Sequence, residues 1–219
     1  MMQKQIGFRL GFSFVGMVAI AVSGCGRGTV RPMEIASDAG TQAVAKFDAN
    51  KDGVLDYREL ARAPGLQAGL AKIKKLGGRH AEPSEKQLLG ATITAEEIDA
   101  RIKQWKAHGT GRIAVNCRVM KSGRPLANAE VKFVPEEFLG PGLSTGTGTT
   151  DANGNAKVSQ PSRGSGDPAN GMSPGFYRVE ITKGNEIPAQ YNTATILGQE
   201  VAVDAIGIST GGVVFDLDY

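Results

Sequence analysis

The chain has 219 residues, of which 41% are apolar and 30 are glycine, and a formal net charge of +3. That length holds one large or two small domains, and the glycine content suits a turn-rich, partly β chain. The weak charge and the single tryptophan exclude a basic surface interleaved with aromatics, so no nucleic-acid partner is expected. Lys4 and Arg9 precede an uncharged, mostly apolar run over residues 11–22. This run is too short to span a bilayer as a helix and suits the apolar region of an export signal.

The run ends in Val22-Ser23-Gly24-Cys25. An apolar residue, two small ones and a cysteine resemble the lipobox of bacterial lipoproteins. The resemblance implies cleavage after residue 24, lipid on Cys25 and attachment to a membrane of the cell envelope, with the protein facing the periplasm or the outside. Several acyl chains, at about 0.8 kcal/mol per buried CH₂, anchor a protein stably. An ordinary secretory signal with an incidental cysteine, or an uncleaved anchor, stays open as an alternative. With Cys25 lipidated, Cys117 has no partner in the chain and is expected to pack as a small buried hydrophobe.

Residues 25–36 read as a tether. Ser37 is the expected N-cap of a helix over 38–47, with Val44 and Phe47 on one face. Then comes Asp48-Ala49-Asn50-Lys51-Asp52-Gly53-Val54-Leu55-Asp56-Tyr57-Arg58-Glu59, with side-chain oxygens at the first, third, fifth, ninth and twelfth places. Such spacing lets a tightly curled loop turn Asp48, Asn50 and Asp52 inward. Gly53 permits the sharp turn, and the Val54 place supplies a backbone carbonyl. Hard cations such as Ca²⁺ take about 6–8 oxygens. The stretch resembles the calcium loop of the EF-hand family. The resemblance implies Ca²⁺ held by Asp48, Asn50, Asp52, Val54, Asp56 (directly or through water) and a bidentate Glu59, with Leu55 turned into the core. A metal-free capping box between Asp56 and Glu59 is the plainer alternative.

A helix is expected over 57–63, stopped by Pro64-Gly65, then a second over 66–76 and a short one over 83–89. The segment from Lys86 resembles a degenerate second EF-hand loop. Ile93 takes its central apolar place and Glu97 its closing acidic place, but Lys86, Leu88 and Gly90 stand where ligands are needed. No calcium is expected there. EF-hands pair through a short β-link, which the resemblance places between Leu55 and Ile93. Thr94 is the expected cap of a helix over 95–106, with Glu97 three residues on. Ile98, Ile102 and Trp105 share one face of that helix, and the tryptophan is read as core.

Residues 37–108 therefore read as a helical domain, and 108–111 as a linker. From 112 to 219 alternation replaces helical periodicity. Strands are expected near 112–120, 129–134, 146–150, 156–159, 176–182, 198–203 and 212–217, with an exposed loop over 160–173. Gly123-Arg124-Pro125-Leu126-Ala127-Asn128-Ala129-Glu130-Val131, Thr150-Asp151-Ala152-Asn153-Gly154 and Pro174-Gly175-Phe176-Tyr177-Arg178-Val179 resemble motifs of carboxypeptidase regulatory-like, transthyretin-like domains. The fold class expected is thus α+β and multidomain: a small EF-hand domain followed by a seven-strand Ig-like or transthyretin-like β-sandwich.

No nucleophile elbow, zinc helix or phosphate loop occurs, and no enzymatic activity is expected. The reading is a calcium-binding, lipid-anchored exported protein with an accessory sandwich. A module binding surface polysaccharide or protein with incidental calcium, or a calcium sensor, are the alternatives.

Overall fold

The computed structural model describes residues 34–77, 83–109, 111–162 and 170–219. Cys25, the apolar run over 11–22, most of the tether and His80 lie outside them. Among the described residues no helix is long and apolar enough to cross a membrane. The chain is α+β, with helices first and one antiparallel and one mixed sheet after.

The helical half contains α1 (Ala39–Phe47), β1 (Leu55–Asp56), α2 (Tyr57–Leu60), α3 (Pro64–Ile73), α4 (Glu85–Leu89), β2 (Thr92–Ile93) and α5 (Ala95–Ala107). β1 and β2 pair antiparallel with Leu55 opposite Ile93, and both side chains are fully buried. α5 starts at the expected box: Thr94 accepts from the Glu97 N–H, and Glu97 accepts from the Thr94 N–H. Three expectations are corrected. Asp38, not Ser37, precedes α1, and its side chain makes no cap. The helix after the loop spans only Tyr57–Leu60. Pro64-Gly65 begins α3 rather than ending its predecessor, because proline's missing N–H and fixed φ suit a helix's first position as well as they break its interior.

The β half has eight strands among the described residues, not seven: β3 (Val115–Lys121), β4 (Arg124–Pro125), β5 (Glu130–Pro135), β6 (Gly146–Thr149), β7 (Asn155–Val158), β8 (Gly175–Thr182), β9 (Gly198–Val201) and β10 (Val213–Leu217). One sheet runs β6-β5-β8-β9, antiparallel throughout. In the other, β3 pairs in parallel with β10 on one side and antiparallel with β4 and β7 on the other. The sheets meet where Phe133 of β5 packs edge-on against Phe215 of β10, centroids 6.2 Å apart. Cys117 is buried in β3, and burial pushes its thiol up to about 12, as a small core residue requires. The expected exposed loop has buried ends: Gln160 donates to Tyr177 Oη at 3.1 Å and accepts from the Ser173 N–H at 2.9 Å. Residues 163–169 of it lie outside the described ones.

The halves share a core. α3 lies on β8 and β9 at backbone contact, which its glycines permit. A Cβ on Gly65 would fall 2.5 Å from Tyr177 N, and one on Gly69 2.4 Å from the Phe176 ring. Trp105 of α5 stacks edge-on against Phe176 at 4.6 Å, confirming the tryptophan as core. Beside it Arg101 donates to Glu200 Oε1 at 2.6 Å and forks onto Asp204 at 2.7 and 3.0 Å. Glu200 and Arg101 are both buried. Truncating one partner of such a pair costs about 3–5 kcal/mol, since the other charge is left unpaired.

Candidate metal centre

The loop 48–59 hangs between the end of α1 and the start of α2. Asp48 closes α1, its N–H donating to the Val44 carbonyl. The next residues wind back through two left-handed positions, Lys51 (φ 62°) and Gly53 (φ 87°). A Cβ at Gly53 would meet nothing within 4 Å, so the backbone angle, not space, calls for glycine there. This winding turns the loop's N–H groups onto its own side chains. Asp48 accepts from the N–H groups of Lys51 (2.6 Å) and Gly53 (2.9 Å). Asn50 accepts from Asp52 N–H (2.9 Å), and Asp52 from Val54 N–H (3.0 Å). Asn50 Nδ2 also donates to Asp52 Oδ2 at 2.9 Å.

Glu59 ties the loop's two ends together. Its Oε1 accepts from Ala49 N–H (2.8 Å) and Asn50 N–H (3.3 Å), and its Oε2 from Asp56 N–H (3.0 Å). Asp56 in return accepts from the N–H groups of Arg58 and Glu59, completing the capping box. Both the loop and the plainer box are therefore present, and they share Glu59.

The electrostatics are one-sided. Asp48, Asp52, Asp56 and Glu59 place four carboxylates in twelve residues, and among the described residues none forms an ion pair with lysine, arginine or histidine. Glu59 is only 8% exposed. Drawing these like charges around one point would require a cation. Among the described residues no three His, Cys, Asp or Glu side chains are gathered around one point; the loop carboxylates are held on backbone N–H groups instead. Both oxygens of Asp48 and Asp52 and Oε2 of Glu59 accept one donor each and keep a lone pair for a metal, whereas Glu59 Oε1 and Asp56 Oδ1 each accept two N–H groups and would have to release one to ligate. The donor set is all oxygen, hard and anionic, which suits Ca²⁺ rather than a transition metal.

In the second segment, α4 occupies the places of Lys86 and Leu88, and Gly90 follows as its C-cap. The closing Glu97 accepts from Lys74 Nζ at 2.6 Å. Its charge is met by a protein cation.

Glu136 and its neighbour Glu137 point apart: Glu136 is buried and Glu137 exposed. Glu136 Oε1 accepts from Gly65 N–H at 2.8 Å. No local signal marks that contact, since its partner lies 71 residues away.

Family models, curated proteins and solved structures were compared with this chain, and none matches.

Proposed function

We propose that this chain is a calcium-binding, lipid-anchored protein of the cell envelope, with a structural EF-hand-like site and a transthyretin-like β-sandwich as a non-catalytic interaction module. The observation that carries the reading is the loop Asp48–Glu59 joined to the Leu55–Ile93 pairing: an oxygen-bearing loop whose eighth residue meets its counterpart in a second, degenerate segment. Asp48, Asn50, Asp52, the Val54 carbonyl, Asp56 and Glu59 would hold the ion. Bound Ca²⁺ would supply the positive charge that the four carboxylates lack. The chain's own part is to hold Glu59 over the loop's first turn through Ala49 and Asn50 N–H, and so tie α1 to α2.

A structural role is favoured over a sensor by the packing of the helices. α3 is seated on β8 at backbone distance, and Trp105 is wedged against Phe176. Opening the helical half would expose those contacts, and buried apolar surface is worth about 25 cal/mol per Å². The test is calorimetric titration of residues 26–219 with CaCl₂. One saturable site is expected, lost in Glu59→Gln. No saturable heat, or identical titrations for both proteins, sinks the proposal. Metabolic labelling with an alkynyl palmitate reads out Cys25: label on the wild type and none on Cys25→Ser is expected.

A further inference from the structure

A cleft of about 400 Å³ opens where the two ends of the loop region meet the β half. Its walls come from the end of α1 (Lys46, Phe47), the residues after α2 (Ala61, Arg62), β8 (Arg178) and the segment 193–195. Glu136, 3% exposed, lines its interior. The volume falls within the range of about 300–1,000 Å³ usual for small-molecule sites.

The charges on this cleft are unevenly spent. Lys46 pairs with Glu137. Arg178 is shared between Glu180 at 3.4 Å and Glu137 at 3.9 Å. Two opposite charges are left over. Among the described residues Arg62 has no carboxylate partner; its guanidinium lies only over the Phe47 ring, 5.9 Å from the centroid. Among the described residues the Glu136 carboxyl has one hydrogen-bond donor, the Gly65 N–H, and no ion pair. Its second oxygen accepts no hydrogen bond among the described residues, and the residue lines the cleft. Burial pushes the carboxyl up to about 7, against the pull of the Gly65 N–H, Arg178 and Lys46. A nine-tenths-buried acid with a free face gains most from a ligand that brings its own cation.

We propose that this cleft binds a small zwitterion, an α-amino acid. Its ammonium meets Glu136 inside and its carboxylate meets Arg62 at the mouth. An anion alone leaves Glu136 unmatched, and an amine alone leaves Arg62 unmatched. Arginine suits the carboxylate end because its planar fork takes two oxygens at once.

Calorimetry on the full chain tests this with three probes: L-leucine, 4-methylpentanoate, which lacks the ammonium, and isopentylamine, which lacks the carboxylate. Leucine is expected to saturate below about 10 mM, with each analogue at least about tenfold weaker. Arg62→Gln, at an exposed position, should weaken leucine about tenfold and leave isopentylamine unchanged. Glu136→Gln should weaken leucine and leave 4-methylpentanoate unchanged, with circular dichroism reporting that the variant is folded. No saturation by leucine overturns the proposal. So does 4-methylpentanoate binding as tightly as leucine, which would mark a plain anion site. An Arg62→Gln protein that binds leucine normally overturns it as well, whatever Glu136→Gln does to folding. None of these readouts requires the loop to hold calcium.

Discussion

Glu59 and Glu97 occupy equivalent places in two segments of the helical half. Each follows its β-link residue, Leu55 or Ile93, by four positions, and each closes a capping box on the helix it begins. They differ in what meets their charge. Glu97 has Lys74 at 2.6 Å. Glu59 has three backbone N–H groups and, among the described residues, no basic side chain. The segment that lacks the alternating oxygen side chains has been given a fixed cation. The segment that carries them has been left with its negative charge. The difference teaches that the capping box alone does not account for the first segment: a box is complete at Glu97 without Asp48, Asn50 or Asp52 equivalents.

The calcium response breaks or keeps this comparison directly. Calcium at a hundredfold excess over Kd should stabilise the wild type by about 2.7 kcal/mol, which for a chain of this size raises Tm by about 5–10 °C. Glu59→Gln should abolish that shift, and Glu97→Gln should leave it intact. Differential scanning calorimetry with CaCl₂ or EGTA reads both. Equal responses of the two variants would mean that the two glutamates are no more than caps.

The sequence carried this half further than the rest, for local reasons. Leu55 and Ile93 could be paired because each holds a fixed place in a twelve-residue pattern, and Thr94 and Glu97 because a capping box lies within four residues. Pro64 was ambiguous, since the same chemistry ends one helix and starts another, and only packing on the sheet decides. The alternation of β8 was also plain, Tyr177, Val179 and Ile181 on one face and Phe176, Arg178 and Glu180 on the other. That a second layer of helices covers Phe176 was not, because its partners Trp105 and Gly69 lie far away in the chain. Arg101 with Glu200, and Glu136 with Gly65, are hidden for the same reason: each pair joins residues more than 70 positions apart.

Glu136 sharpens the comparison by showing what a buried carboxylate does with one N–H donor and cations nearby that form no ion pair with it. Its folded pKa of about 7 lies above the ordinary 4.5. The folded state therefore binds the proton more tightly than the unfolded state. Stability is highest below the unfolded value and falls as pH rises from about 4.5 to 7, then levels off. The loss is about 3 kcal/mol at most. Urea denaturation across this range should show wild type losing that much relative to Glu136→Gln. Parallel curves for the two proteins would place the carboxylate in water rather than in the wall of the cleft.

Gly65→Ala asks whether the helical half is as firmly seated as a structural site requires. The added methyl would lie 2.5 Å from one backbone atom of Tyr177 and 2.7 Å from another, and backbone cannot swing aside as a side chain does. Overpacking of this kind costs about 1–3 kcal/mol. Denaturation midpoints at constant slope measure it. An unchanged midpoint would mean that α3 rides loosely on β8, and would reopen the sensor reading.

The smallest effect falls on the other side of the comparison. Lys74 and Glu97 are 29% and 35% exposed, so water screens their attraction. Lys74→Met should cost no more than about 0.5 kcal/mol, the usual scale for a partly exposed pair. It would leave Glu97 as free of cations as Glu59. It should nevertheless create no calcium site, because α4 and its cap Gly90 still fill the places where three more oxygens are needed. If Lys74→Met acquired a second calcium equivalent in calorimetry, one free closing carboxylate would suffice to bind the ion. The contrast between the two segments would then rest on Lys74 alone rather than on the loop.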